Sequence, residues 1–245
     1  TKVFITCGGV EVDLRIVEPE AFGSLLHHFT GGQAHNIALR ERAVKMGINI
    51  SEYGLAEEGT GDYKPVATEE DLYSRLGLAY IPPELREDAG EIEAADSGTL
   101  PDLVSVEDVR GDLHVHTNYS DGKGTIESMT EAAIELGYEY LVFCDHSQSL
   151  RVANGLSPER LKEKLEAVRK ADEGYSEIHL LCGSEVDILR DGSLDYDDDV
   201  LAELDFVVAS VHTSFGVGEK AMTERIVRAM NNPYVRTIGH PTGRI

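Results

Sequence analysis

The chain has 245 residues, 41% of them hydrophobic, which is enough for one large or two small folded domains and unlike a disordered segment. Its 45 acidic against 22 basic residues give a formal charge of −23, opposite to the basic surface that nucleic-acid binding usually relies on. No apolar run approaches the ~20 residues needed to span a bilayer, and three scattered cysteines form neither a disulfide framework nor a paired-cysteine zinc site.

Strand-like sequence begins within two residues of Thr1, so the chain reads as part of a longer or processed product. From Val10 to Val17 the pattern alternates, with Val10, Val12, Leu14 and Ile16 on one side and Glu11, Asp13, Arg15 and Val17 on the other. This predicts a half-buried strand with a carboxylate on its open face. Ala21 to His28 predicts a short helix, and Gln33 to Met46 a stronger one stopped by Gly47. On that helix His35, Arg40, Arg42 and Lys45 are expected to face solvent or, for the three cations, a DNA backbone. Glu69 to Leu76 is another helix, closed by Gly77, and the two prolines of Ile81-Pro82-Pro83-Glu84 break regular structure. The acidic, small-residue stretch from Asp88 to Glu107 reads as a connection, with a domain boundary near residue 105.

Beyond it, strands and helices alternate. Thr125 caps a helix through Leu136 that Gly137 ends, and Ser157-Pro158 starts one whose apolar stripe is Leu161, Leu165 and Val168. Further helices are expected over Val200 to Leu204 and Ala221 to Met230, with Asp195-Tyr196-Asp197-Asp198-Asp199 as an acidic loop ahead of the first. Five short apolar segments, 113–116, 141–146, 180–185, 207–212 and 238–240, read as strands, and each carries a metal-type side chain at its C-terminal end. The pattern predicts a parallel α/β architecture. In a parallel β/α barrel all strand C-termini open on one face, so His114, His116, His146, Glu185, His212 and His240 would converge there, with Asp121 on the loop leaving the first strand. Imidazole with carboxylate suits Zn²⁺, Mn²⁺ or Fe²⁺. Taken singly, each residue also fits an ordinary surface or core position. Cys7, Cys144 and Cys182 fit buried, reduced thiols in a cytoplasm.

Residues 108 to 245 resemble the PHP (polymerase and histidinol phosphatase) domain, whose motifs match His114-Val115-His116, Asp121, His146, Glu185, His212 and His240 in order and spacing. The resemblance implies a distorted β/α barrel holding up to three divalent ions, zinc or manganese, at those seven residues. It implies hydrolysis of phosphate esters by a metal-activated water. That family also carries a final Asp-x-His pair, whereas this chain ends at Pro241-Thr242-Gly243-Arg244-Ile245, so an incomplete barrel and an incomplete metal site are expected. Arg151 and Arg244 are candidate phosphate contacts, since a guanidinium matches phosphate oxygens, and a solvated role is equally open.

The first 105 residues resemble family X DNA polymerases. Gly9 to Val17 is similar to the palm strand with the third catalytic aspartate, here Asp13. His28-Phe29-Thr30-Gly31-Gly32-Gln33 is similar to the segment entering the thumb, which implies nucleotide contacts at Phe29 and Gly31, although His28 and Gly32-Gln33 depart from the usual Tyr and Ser-Lys. The implied organisation is a palm remnant over 1–30, a thumb-like region and linker over 31–105, and a PHP domain over 106–245. The α/β whole is thus a small α+β palm and thumb remnant ahead of the barrel.

The implied function is gap-filling DNA repair with trimming of 3′ ends. Gapped or 3′-ended DNA and deoxynucleotides would be partners, with Mg²⁺ needed for synthesis. Asp13 alone cannot hold two ions, so synthesis by this chain is expected to be absent. Two alternatives stay open: a phosphatase acting on a small phosphomonoester, and a DNA-binding fragment without turnover. The acidity fits the first or an adaptation to high salt.

Overall fold

The computed structural model describes residues 2–242. Internal contacts divide the chain into two compact units, one ending at Leu103 and the other starting at Val104.

The first unit opens with an antiparallel hairpin of β1 (Lys2–Cys7) and β2 (Val10–Arg15), registered so that Cys7 faces Val10. Its two-residue turn, Gly8-Gly9, has φ of 57° and 84°, a pair of left-handed conformations that glycine adopts without penalty. The hairpin departs from expectation. Val10, Val12, Leu14 and Ile16 are all exposed, so the alternation marks a real strand whose apolar face is uncovered among the described residues. Cys7 is exposed as well, against the expectation of a buried thiol.

Helix α1 (Phe22–Phe29) and α2 (Gln33–Lys45) follow, then the hairpin β3 (Ile48–Ser51) and β4 (Gly54–Glu57), then α3 (Glu69–Arg75) and α4 (Glu91–Ser97). Leu39, Leu55, Leu72, Tyr73, Leu76 and Ile81 form the centre of this unit's core. Helix α4 lies in the stretch expected to be a connection. It buries Ile92 and Ala95 in that core, and its small, acidic composition concealed the two apolar contacts.

His35 is also misplaced by the sequence reading. It is fully buried, with Nδ1 2.5 Å from Glu91 Oε1 and Nε2 2.9 Å from the Tyr73 hydroxyl. A polar-looking helix face here turns inward because two partners satisfy the ring.

The second unit holds β5 (Gly111–Val115), α5 (Ile126–Glu135), β6 (Tyr140–Phe143), α6 (Pro158–Asp172), β7 (His179–Asp187), α7 (Asp198–Leu201), β8 (Phe206–Ser210), α8 (Glu219–Met230) and β9 (Val235–Ile238). Its five strands are parallel and lie in sequence order, β5-β6-β7-β8-β9. Sequential order with a helix in each crossover is the winding of a β/α barrel, whereas doubly wound sheets reverse their order.

Both faces of the sheet are apolar, as a covered parallel sheet requires. Leu141 and Phe143 pack with Leu165 and Val168 of α6, while the alternate residues Val142 and Cys144 pack with Val208. The helix starts read from the sequence hold: the Thr125 and Ser157 side chains accept from the backbone N–H of Ser128 and Arg160. At Gly183 a Cβ would stand 2.7 Å from both the Phe206 carbonyl oxygen and Cys144 Sγ, so no larger residue fits between β6 and β8.

Candidate metal centre

The strands end in a cavity of about 630 Å³ lined by His114, His116, Asp121, His146, Glu185, His212 and His240, with Leu150, Val152 and Ala153 on its rim. The five histidines arrive from four strands. His114 lies within β5 and His116 just after it. One residue lies between them, so their rings stack at 5.1 Å between centroids. His146, His212 and His240 lie just beyond β6, β8 and β9. His146 also pairs with Glu185 across the sheet, in the register of Phe143 with Cys182.

Glu185 is the hub. Its Oε2 lies 3.2 Å from His114 Nε2, 3.4 Å from His116 Nε2 and 3.2 Å from His146 Nδ1. Its Oε1 lies 3.2 Å from His212 Nε2 and 3.0 Å from His240 Nε2. One buried carboxylate therefore faces two separate sets of imidazoles, one on each oxygen. Burial raises its pKa, yet hydrogen bonds from His114, His116 and His212 outweigh that and hold it well below the usual carboxylate range.

The donors fit divalent ions. His114 Nε2 and His116 Nε2 stand 3.1 Å apart, and His212 Nε2 and His240 Nε2 3.2 Å apart. Ligands about 2.0–2.1 Å from a shared ion are roughly 3.0–3.4 Å from one another. His146 Nδ1 is buried and lacks hydrogen-bond geometry to any group, including the Glu185 oxygen near it, so it is an orphan that an ion would satisfy. Three groups have ligand atoms within 4.8 Å of one another: His114–His116–Glu185, His116–Asp121–His146 and His146–Glu185–His212. His240 reaches the last of these through its contacts with Glu185 and His212.

Several partners of these residues escaped the sequence reading. Buried Asp187 accepts a short hydrogen bond from His212 Nδ1, which turns Nε2 toward the cavity. Burial pushes the His212 pKa down, but Asp187 and Glu185 outweigh it and raise it from 6.5 to about 9. His116 is raised as well: burial opposes the charge, and Glu185 and Asp121 overcome it. For His146 burial wins and its pKa falls. Asp187 could have been noticed, since Glu185-Val186-Asp187 puts two carboxylates on one side of a strand.

The remaining predicted residues are placed differently. Arg151 is exposed on a short 3₁₀ turn whose neighbours Leu150, Val152 and Ala153, rather than Arg151, line the cavity. Arg244 lies outside the described residues. Phe29 and Gly31 line a separate cleft of about 370 Å³ with His28, Gln33, Asn36 and Arg40. Asp13 is exposed, accepts from Arg15 at 2.9 and 3.0 Å and lies 3.7 Å from Lys2, and among the described residues it joins none of the three donor groups. Cys144 and Cys182 are buried and join none of the three donor groups, and burial pushes the Cys144 thiol up to about 12, an inert form.

Comparison with known proteins follows the same division. The DNA polymerase beta thumb family matches residues 25–87, and the PHP domain family matches residues 112–243. The chain is 45% identical over 234 residues to the DNA polymerase/3′-5′ exonuclease PolX of Bacillus subtilis (strain 168), covering 96% of this chain and 41% of that protein. It is 32% identical over 139 residues to a "Probable phosphatase" of Thermoanaerobacter sp. (strain X514), and 30% identical over 135 residues to one of Acetivibrio thermocellus. Each match covers 53% of both chains. The chain thus spans less than half of the polymerase and about half of the phosphatases.

Proposed function

Because the chain belongs to the PHP domain family and carries a DNA polymerase beta thumb ahead of that domain, we propose that it is part of a family X repair polymerase whose second unit hydrolyses phosphodiester bonds at DNA 3′ ends. The observation that carries the hydrolytic half is Glu185 facing two sets of histidines, one on each carboxylate oxygen. His114, His116, Asp121, His146, Glu185, His212 and His240 would hold the ions, zinc or manganese, in up to three positions. When bound, such ions lower the pKa of water from 15.7 toward about 7 and offset charge on phosphate oxygens.

The chain's own residues supply the rest. Glu185 spaces the two histidine sets, and Asp187 fixes the His212 ring with its Nδ1 proton turned away from the cavity. Leu150, Val152 and Ala153 give one wall an apolar surface against which the organic part of an ester can lie. Nucleotidyl transfer is not assigned to Asp13, which is neutralised by Arg15 and Lys2 and joins no donor group among the described residues. The thumb unit supports DNA and nucleotides as partners. No helix of the described chain is long and apolar enough to cross a membrane, and we place the protein in the cytoplasm, where its thiols stay reduced.

The direct test is incubation of the Mn²⁺-loaded protein with a 3′-recessed DNA duplex and, separately, with a small aryl phosphomonoester. Release of nucleotides from the 3′ end, abolished by EDTA, is expected. The similarity to probable phosphatases favours a second outcome, phosphate release from the monoester alone, which would replace the exonuclease reading.

Metal binding is also expected to release protons. In the metal-free protein the His212 pKa is raised to about 9 from 6.5, so its stabilising proton is fully present below about pH 6.5 and lost as pH climbs through 9. An ion must displace the Nε2 proton, so affinity should rise with pH across that window. Titration of Mn²⁺ at pH 7.5 in buffers of different ionisation heat measures the release, and zero release would remove His212 from the ligand set.

A further inference from the structure

One cluster under the metal cavity has no part in the reading above: fully buried Asp145 and fully buried Lys164, the latter embedded in the apolar stripe of α6. Lys164 Nζ uses all three of its protons, donating to the Phe143 carbonyl at 2.7 Å and the Gly183 carbonyl at 3.0 Å and pairing with Asp145 Oδ2 at 3.0 Å. Asp145 spends its remaining capacity on a single loop. Its Oδ1 accepts from the Thr117 N–H at 2.8 Å, the Ser120 N–H at 3.2 Å and the Ser120 hydroxyl at 2.6 Å. Its Oδ2 accepts from the Thr117 hydroxyl at 2.9 Å. That loop ends in Asp121, whose Oδ1 lies 3.2 Å from Ser120 Oγ and 3.0 Å from His116 Nδ1.

The donor groups are supported unequally. Glu185 stands within β7, paired with Val208 on one side and bridged to His146 on the other, so backbone ladders fix it. Asp121 is the half-exposed member of its group and stands outside every strand. What holds its loop is the Asp145 carboxylate from beneath and, from the side, Asn154 Nδ2 at 3.1 Å and Arg160 Nη2 at 2.5 Å, both donating to the Tyr119 carbonyl.

Resting on the reading of the cavity as a metal centre, we propose that Asp145, anchored by Lys164, is a positioning residue that sets the affinity of the His116–Asp121–His146 site while leaving the sites built on Glu185 largely untouched. An amide at this position keeps the shape. It places an N–H₂ against either the Ser120 and Thr117 donors or the Lys164 ammonium, so part of the clamp must open.

The test uses the full chain, Mn²⁺ alone as the probe, and the variants Asp145→Asn and Ser120→Ala. Metal equivalents retained and dissociation constants are measured beside turnover. Ser120→Ala removes the hydroxyl bond that ties the loop to Asp145 and leaves the rest of the clamp in place, so it keeps the proposal testable if Asp145→Asn fails to fold. Expected is one equivalent weakened about 10- to 100-fold, the usual range for an outer partner of a metal ligand, with the others within about twofold. Turnover should fall with KM unchanged and recover at high Mn²⁺, which a general loss of folding would not do. Wild-type affinity for every equivalent in a folded variant, or equal weakening of all of them, would overturn the proposal. Failure of the wild-type protein to bind Mn²⁺ would overturn the metal-centre reading itself, and with it this one.

Discussion

Glu185→Ala is expected to abolish metal-dependent hydrolysis while leaving the fold of the second unit in place. The carboxylate places one oxygen on each histidine set, with Oε2 among His114, His116 and His146 and Oε1 between His212 and His240. Losing it removes a ligand atom from two of the three donor groups at once. Metal centres stabilise transition-state charge by several kcal/mol, and each ~1.4 kcal/mol is tenfold in rate, so a loss on the order of 10³-fold or more follows. Metal analysis should show fewer bound equivalents, and circular dichroism should be unchanged.

Glu185→Gln keeps the shape of the side chain and removes its charge. In the metal-free variant His212 loses one of the two carboxylates that raise its pKa and should titrate below its wild-type value of about 9, which NMR of the ring can follow. Hydrolysis by Glu185→Ala at the wild-type rate would remove the cavity from the chemistry.

The convergence of these side chains on one cavity was legible because all but Asp121 stand on or just beyond a strand, whose polarity alone fixes which face they join. His146, Glu185, His212 and His240 needed only the inference that the five strands are parallel. What supports those residues was not legible. Lys164 sits between Leu161 and Leu165 on a helix stripe, and a lysine there reads as a surface residue whose stem covers apolar area. Its burial is stabilised by two carbonyls and Asp145, contacts that only the assembled sheet creates. His35 fails the sequence reading for the same reason: its partners Tyr73 and Glu91 lie 38 and 56 residues away. The β1–β2 hairpin shows the converse. Its alternation specifies pairing and register, yet says nothing of whether another surface covers Val10, Val12 and Leu14.

The second large effect is expected in the thumb unit, at Arg86→Met. Arg86 is fully buried, donates from Nε to the Ile81 carbonyl at 2.9 Å and from Nη1 to Glu69 Oε1 at 2.6 Å, and lies against the rings of Tyr73 and Tyr80. Glu69 is buried too, with one further hydrogen bond, from the Tyr80 hydroxyl at 3.3 Å. His27 lies 4.0 Å from the same carboxylate but offers no charge, since burial and the Arg86 charge push its pKa down to about 3.

Methionine fills most of the space and leaves Glu69 as an unpaired buried charge, a change that costs about 3–5 kcal/mol. That is a large part of the 5–15 kcal/mol by which domains are stable, so the melting transition of this unit should fall sharply. Adding Glu69→Leu removes the stranded charge, and the double variant should regain most of the loss. If single and double variants melt together at every pH, the damage comes from lost packing around Tyr73 and Tyr80, and the ion pair contributes little.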